Sequence, residues 1–524
     1  MTNPTRRGQK ADKVFISPEL QPEVGGQAKP QYRREQSFIL DRNDPNTTAQ
    51  KFIDDRYWRD GHLCLYSKGD VFWQFNRSFY EEVEFNMLSA EVYDFMSGAK
   101  SRYRNSAIPM VFKPEDVSNV LKCIKAGVTI PSSLPHQCWI ESEQPALEWF
   151  AFKNKLVNVR TGETRDPTPE LWITDAVDFN FDPAAQCPRW EQFLEEIHPK
   201  DPQAQNCIEE QLGYGMTYDM HFEKIAVWIG KPRAGKSTLL HVQKRLVGKR
   251  AFAPLGFHDW TRGEKSRENI IGKKVAAFSD TRLRPPKKYG NTGYDPGGLD
   301  YSSIQTLLKI SGRDSESVGR MDKKAWEGDL FCKIIITSNE RLNIQDLVLL
   351  SRMIYVDFKQ SWLDHPGKDH FIREKLDREL PGIANRCLVA YRRLLARGKF
   401  IQPPSASHLA QQIAAQANPL SAFMQEWWIR DQHSDGPLAA QVHNLFKVWC
   451  EDHERSELLK TYPREQELMK GIKALPEFSW LKGVRRNGST VVRYPGIRQR
   501  TKADWKKEEA QEAEVVSPKV YRRF

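Results

Sequence analysis

The chain has 524 residues, 39% of them hydrophobic, and its 79 Lys and Arg against 68 Asp and Glu leave a formal net charge of +11. That composition, with 15 Trp and 26 Phe, excludes a generally disordered chain, and the length suits roughly three or four domains. No apolar run reaches the about 18 residues of a membrane span, and MTNPTRRGQKADK has no secretion core, so the sequence predicts a cytoplasmic protein without a membrane partner.

The basic balance favours a polyanionic partner, nucleic acid above all. The eight cysteines are scattered, and none forms a C-x-x-C pair. They read as reduced thiols rather than metal ligands.

Residues 1–36 are rich in Pro, Gly, Gln, Lys and Arg and read as a disordered basic tail. Asn46 to Ile53 reads as helix. LCLYSKGDVFWQFNRSFYEEVE then alternates apolar and polar residues about turns at Lys68-Gly69-Asp70 and Asn76-Arg77, which predicts three antiparallel strands. LSAEVYDFMSGA reads as an amphipathic helix ending at Gly98, and Lys113 to Ala126 as a second. AFKNKLVNVR with Thr161-Gly162-Glu163 reads as a hairpin. The helices WEQFLEEIH and NCIEEQLGYGM follow.

At Ile225 the pattern changes. The apolar strand IAVWI runs into Gly230-Lys231-Pro232-Arg233-Ala234-Gly235-Lys236-Ser237, then Thr238 and a helical stretch. This is G-x-x-x-x-G-K-S between strand and helix. Backbone amides of such a loop cradle phosphates, the lysine adds charge at the terminal phosphates, and the serine hydroxyl holds Mg2+. The following helix points its positive end at the same phosphates. Gly230 through Thr238 are the predicted nucleotide-binding residues.

From about residue 222 to 400, strands and helices alternate, which predicts an α/β fold with a mostly parallel sheet. The strands are IAVWI, KVAAFSD, KIIITSN and MIYVDF. Asp280 ends the second, where a carboxylate binds magnesium or orients water; it equally suits a helix cap. Asn339 ends the third, where an amide senses the terminal phosphate or turns the chain. Arg352 lies where QDLVLLS runs into MIYVDF, placed to serve a neighbouring subunit's nucleotide or to form a surface ion pair.

LLKISGRDSESVGRMDKKAWEGDLFCKIIITSNERLNIQDLVLLSRMIYVDF resembles the superfamily 3 helicases, a branch of the AAA+ ATPases. It is most similar to the phage/plasmid and poxvirus primase-helicase lineage. WFAFKNKLVNVRTGE and FDPAAQCPRWEQFLEEI upstream, and ELPGIANRCLVAYRRLLARGKFIQP downstream, share the resemblance.

The resemblance implies an α+β pre-helicase domain over 37–205, an AAA+ P-loop ATPase domain with post-ATPase helices over 206–402, a winged-helix-like domain over 415–500 and a charged tail over 501–524. It implies ATP and Mg2+ as cofactors, with Ser237 and Asp280 at the metal and Lys236, Asp280, Asn339 and Arg352 as catalytic groups. It further implies a homo-oligomer, a hexameric ring on single-stranded or forked DNA, acting with a separate primase or polymerase. Ser311-Gly312-Arg313-Asp314, Arg320, Lys323 and Lys324 match the segment that forms a DNA-contacting hairpin in the ring's channel.

Two departures matter. Ser279 and Thr281 flank Asp280 where many ring helicases have a second acid. Asp280 therefore acts alone, or Asp259, Glu264 or Asp314 assists. About forty residues precede the first recognisable segment, too few for a primase fold, so no primase activity is expected.

FMQEWWIR, VHNLFKVWCEDH and Thr461 to Lys473 read as helices. WLKGVRRNGSTVVRYPGIRQR reads as a hairpin turning at Asn487-Gly488, with Lys482, Arg485, Arg486, Arg493, Arg498 and Arg500 as its cations. This suggests a wing gripping phosphates, with Arg485, Arg486 and Arg493 as its DNA contacts. The expected activity is ATP-driven DNA unwinding in replication of a phage, plasmid or other mobile element. The alternative is an initiator that assembles on DNA with ATP and does not unwind processively.

Overall fold

The computed structural model of the chain describes residues 38–104, 106–256, 260, 265–281, 287–289, 293–295, 299, 301–320, 323–342, 344, 346–363, 365–417, 419–453, 455–475, 478–485, 492–501 and 503–504. Asp259, Glu264, Arg486 and the turn at Asn487-Gly488 lie outside the described residues, as does the basic tail at 1–36. Two compact units emerge. One takes the described residues up to Gly61, with Leu65–Phe72 and Val83–Thr129; the other takes His62–Cys64, Trp73–Glu82 and the described chain from Ile130 onward.

In the first unit, α1 (Pro45–Arg56) begins with Asp44 accepting from the Thr47 amide at 3.0 Å, an N-cap with proline in the first turn. The strands predicted next are present as β1 (Leu65–Lys68), β2 (Val71–Phe75) and β3 (Tyr80–Val83), with Trp73–Phe75 of β2 and Tyr80–Glu82 of β3 counted in the second unit. Their turns use Gly69 at φ 64° and Arg77 at φ 80°. Helix α2 (Phe85–Ser97) buries Leu88, Val92, Phe95 and Met96 on one face. Phe95 meets Phe52 edge to face at 5.4 Å. A hairpin, β4 (Lys100–Tyr103) and β5 (Ser106–Pro109), precedes α3 (Pro114–Val128).

The second unit opens with the predicted hairpin, β6 (Trp149–Ala151) and β7 (Leu156–Asn158), joined by β8 (Thr164–Arg165). Helices α4 (Pro188–Ile197) and α5 (Pro202–Met216) lead to β9 (Ile225–Gly230) and α6 (Lys236–Val247). Then come β10 (Phe252–Leu255), β11 (Val275–Phe278), α7 (Tyr301–Gly312), the hairpin β12 (Ser315–Arg320) with β13 (Lys323–Asp329), β14 (Lys333–Ser338), the short α8 (Leu347–Ser351) and β15 (Met353–Phe358).

Five of these strands form one parallel sheet in the order β10-β11-β14-β9-β15. Both faces are covered, so the strands read as continuous apolar runs. Alternate residues still part company. Ala226, Trp228, Ala277 and Val356 enter one core, while Ile225, Val227, Ile229, Phe278 and Tyr355 enter the other.

Helices α9 (Ile372–Arg378) and α10 (Leu380–Arg397) follow the sheet, with α10 packed along α5. Gly213 of α5 permits that contact, because a Cβ there would lie 2.0 Å from the Cys387 carbonyl oxygen.

After α11 (Pro404–Ala417) a separate core forms from Leu420 to Ile497. It holds α12 (Pro419–Trp427), β16 (Trp428–Asp431), α13 (Ala439–Asp452), α14 (Ser456–Thr461), α15 (Glu465–Ala474), β17 (Val484–Arg485), β18 (Val492–Arg493) and β19 (Gly496–Gln499). Two helix expectations are corrected here. FMQEWWIR is helical only to Trp427, because Trp428–Asp431 pairs with β19. The helix expected from Thr461 begins at Glu465, since Pro463 disfavours helical backbone at Tyr462 and separates α14 from α15.

All eight cysteines are free thiols. Among the described residues no helix is long and apolar enough to cross a membrane.

Candidate nucleotide site

The loop after β9 cannot be built with larger residues. Gly230 has φ 146°, and a Cβ there would lie 2.1 Å from the Phe358 carbonyl oxygen of β15. Gly235 has φ 97°, and its Cβ would lie 2.9 Å from Ile197 of α4. Arg233 between them is left-handed at φ 62°. The loop therefore turns sharply, and α6 starts at Lys236 with its free amides at the loop.

Lys236 Nζ donates to the Gly230 and Lys231 carbonyls at 2.5 and 2.8 Å. Burial lowers its pKa to about 8, with the charge of Asp280 opposing the shift. The ammonium is thus held inside the loop and directed at its centre.

A cavity of about 710 Å³ opens over this loop at the C-terminal edge of the parallel sheet. It brings together Pro232 to Thr238, Asp280 and Asn339, residues from three separate strand ends. This is where open α/β sheets bind ligands. Asn339 Nδ2 donates to Asp280 Oδ1 at 2.6 Å. Asp280 itself stands at φ 49°, held by its amide donating to Thr337 Oγ1 at 3.1 Å. Ser237 and Asp280 offer the hard oxygen donors that suit Mg2+. No group of three His, Cys, Asp or Glu among the described residues could hold a metal by itself. A cation held by Ser237 and Asp280 would take its remaining ligands from phosphate and water.

Arg352 does not line this cavity. It sits where β15 begins, at the opposite edge of the sheet, its carbonyl accepting from the Ile225 amide at 2.8 Å. Its Nη1 donates to the Leu308 carbonyl at 2.6 Å and to Ser311 Oγ at 2.9 Å, and Nη2 lies 3.5 Å from Glu223.

Sequence reasoning missed one wall of the cavity. Arg189, Phe193 and Glu196 come from α4, and Trp362, Lys368, Asp369 and Arg373 from the segment after β15. Glu379 fixes α4 by accepting from the Arg189 and Trp190 amides at 3.0 and 2.9 Å. Arg189 then pairs with Glu196 at 3.0 Å and Asp369 at 3.5 Å. Arg373 reaches the Ser237 carbonyl at 3.5 Å. The Trp362 amide donates to the Arg233 carbonyl at 3.1 Å, tying this segment to the loop. The spacing of Arg189 and Glu196, two helical turns apart, was the available signal. The other carboxylates lining the cavity are Glu196, Asp369 and Glu374, of which Glu196 and Asp369 pair with Arg189; Asp314 is not among the cavity residues.

Residues 50–199 match the family described as D5 N terminal like. The match covers less than a third of the chain and lies upstream of the loop. None of the curated proteins matches the chain. Among solved structures, the apo NrS-1 C terminal region (305-718) aligns at 11% identity over 87% of this chain and 99% of that one, with a TM-score of 0.46. The A form apo structure of the NrS-1 C terminal region aligns at 11% identity, covering 83% and 96%, with a TM-score of 0.45.

The predicted DNA-contacting groups fall at two places. Arg320 and Lys323 face each other across the end of the β12–β13 hairpin, and Lys324 follows in β13. In the C-terminal core, Arg485 is exposed on β17. Arg493 on β18 donates to the Gly436 carbonyl at 3.0 Å. Arg498 is corrected as a wing cation, because Asp504 holds it through two bonds of 2.7 and 2.8 Å and Asp431 lies 3.2 Å away. Its charge is neutralised within the fold.

Proposed function

We propose that this chain is an ATP-dependent DNA helicase of a phage-type replication system, assembling as a ring on single-stranded DNA. The observation that carries the reading is the cavity joining Lys236, Ser237, Asp280 and Asn339 at the C-terminal edge of a parallel sheet. Lys236 and the loop amides hold the phosphates, Ser237 and Asp280 hold Mg2+, and Asp280 with Asn339 orients the attacking water. The D5 N-terminal-like match supports the lineage, because it spans the upstream segment that shares the resemblance to primase-helicases. Arg352, at the far edge of the sheet, serves the cavity of a neighbouring subunit. The β12–β13 hairpin carries Arg320, Lys323 and Lys324 toward the strand inside the ring, and the C-terminal core adds phosphate contacts through Arg485 and Arg493.

The test uses the full chain with ATP, Mg2+ and a forked DNA. Hydrolysis and strand separation are expected from the wild type and neither from Lys236→Ala. DNA-stimulated hydrolysis with no strand separation from any fork favours an ATP-assembled initiator. No hydrolysis of any nucleoside triphosphate, with or without DNA, overturns the reading altogether.

A further inference from the structure

The first compact unit carries a surface element that the nucleotide site does not use. The hairpin β4–β5 pairs Lys100 with Pro109, Ser101 with Ile108, Arg102 with Ala107 and Tyr103 with Ser106. Side chains alternate across such a ribbon. One face therefore carries Lys100 and Arg102 against the small Ala107 and Pro109. The other carries Tyr103 and Ile108 between the hydroxyls of Ser101 and Ser106.

Every described side chain from Arg102 to Pro109 is exposed, and Tyr103 keeps 59% and Ile108 40% of their surface in solvent. An isolated two-stranded ribbon is marginal in water. This one is anchored at its base, where the Lys100 amide donates to the Phe38 carbonyl and the Leu40 amide to the Lys100 carbonyl, each at 2.8 Å.

Its charge is one-sided. From Gly98 to Lys113 the chain has four cations, Lys100, Arg102, Arg104 and Lys113, and no acid, although Asp and Glu number 68 in the whole chain. Lys100, Arg102 and Arg104 form no ion pair among the described residues. The Arg104 guanidinium instead lies 5.7 Å from the centre of the Tyr103 ring. A cationic face backed by an exposed ring and an arginine plane fits a polyanion that also offers flat, unpaired π-faces.

We propose that the β4–β5 hairpin is a single-stranded nucleic-acid contact, with Lys100 and Arg102 on phosphates and Tyr103 and Arg104 stacking on bases. It is separate from the nucleotide site, and its test contains no nucleotide, so the two readings stand or fall apart.

The experiment measures anisotropy of a labelled oligothymidine with the full chain, alongside a duplex of equal length. Arg102→Ala/Tyr103→Ala/Arg104→Ala is expected to weaken oligothymidine binding about tenfold or more, from the loss of two stacking groups and one phosphate contact. The salt dependence should flatten by roughly one in slope. Arg102→Lys/Tyr103→Phe/Arg104→Lys keeps charge and ring and should retain most affinity, which separates contact from folding. A 5-iodouracil oligodeoxynucleotide should crosslink within residues 100–109. Unchanged affinity in the alanine variant, equal losses on single strand and duplex, or crosslinks wholly outside this hairpin each overturn the proposal. Capture of a protein on this hairpin with no change in oligothymidine affinity overturns it as well.

Discussion

Asn339 donates to Asp280 at 2.6 Å, and this bond locks together the ends of two adjacent parallel strands, β11 and β14. Asp280 adopts a left-handed backbone at φ 49°, a conformation that costs on the order of 1 kcal/mol for a non-glycine residue. The hydrogen bond from its backbone amide to Thr337 Oγ1 and the one its carboxylate accepts from Asn339 hold it there. A carboxylate so fixed presents its oxygens to the cavity without reorganisation. Asp280→Asn is expected to lower kcat for ATP hydrolysis by roughly 10²–10³-fold while nucleotide affinity stays close to wild type. Asn339→Ala should give a smaller loss of the same kind, because Asp280 keeps its backbone anchor. Wild-type turnover by Asp280→Asn would remove Asp280 from the chemistry.

Arg352 gives a prediction about assembly. Within its own chain it is tied to Leu308, Ser311 and Glu223, at the sheet edge opposite the cavity. If it completes a neighbour's site, Arg352→Ala and Lys236→Ala should each be inactive, yet equal mixtures should regain activity. Random assembly leaves roughly a quarter of interfaces with both groups intact, so recovery toward that fraction is expected. Mixtures that hydrolyse no faster than either variant alone would show that Arg352 acts inside its own subunit, as the anchor of α7.

The parallel sheet was legible because both its faces are buried, so IAVWI, KVAAF, KIIIT and MIYVDF each carry an unbroken apolar run. The strand at Phe252–Leu255 was not, because Pro254 argues against a strand. Its place at the sheet edge is what tolerates the proline. At the site, Gly230 to Ser237, Asp280 and Asn339 were legible because each stands at the end of an apolar run. Arg189, Glu196, Trp362 and Arg373 were not, because local sequence presents them as a polar helix face and a connecting segment. Distant residues bring that helix to the loop: Glu379 caps α4, and Ile197 packs against Gly235.

Beneath the sheet, Lys274 is 1% exposed and lies 2.5 Å from Asp175, which is also buried and accepts from the Tyr218 hydroxyl at 2.7 Å. Lys274 holds the Asp175 carboxyl below the usual range despite the opposing effect of burial. Removing Lys274 strips the buried carboxylate of its nearest cation, with His136 3.9 Å away. Lys274→Ala is expected to destabilise the protein by about 3–5 kcal/mol, read from urea unfolding. Lys274→Met with Asp175→Asn should recover much of that loss, since no charge is left stranded. A loss below about 1 kcal/mol for Lys274→Ala would place this pair with the weak surface bridges.

Lys333 sets the last expectation, on pH. Its ammonium is buried at the first residue of β14, donates to the Thr217 carbonyl and lies 5.1 Å from the Tyr214 ring centre. Burial depresses its pKa from 10.5 to about 7, with Asp219 opposing and Lys274 adding to the shift. Between those values the unfolded chain holds a proton that the folded chain has released. Stability from this group therefore rises with pH above about 7, with a limiting slope near 1.4 kcal/mol per pH unit. Below that range both states are protonated, and the cost of burying the charge is fully present. Lys236 contributes in the same direction, starting nearer pH 8. The buried Cys332 thiol, pushed up to about 12, opposes both once unfolded thiols ionise near pH 9. The comparison is therefore made between pH 6.5 and 8.5, by urea unfolding of the wild type and Lys333→Met. The wild type should gain stability over this interval more steeply than the variant, because only the wild type releases the Lys333 proton on folding. Parallel pH profiles would mean that Lys333 keeps its proton in the folded core.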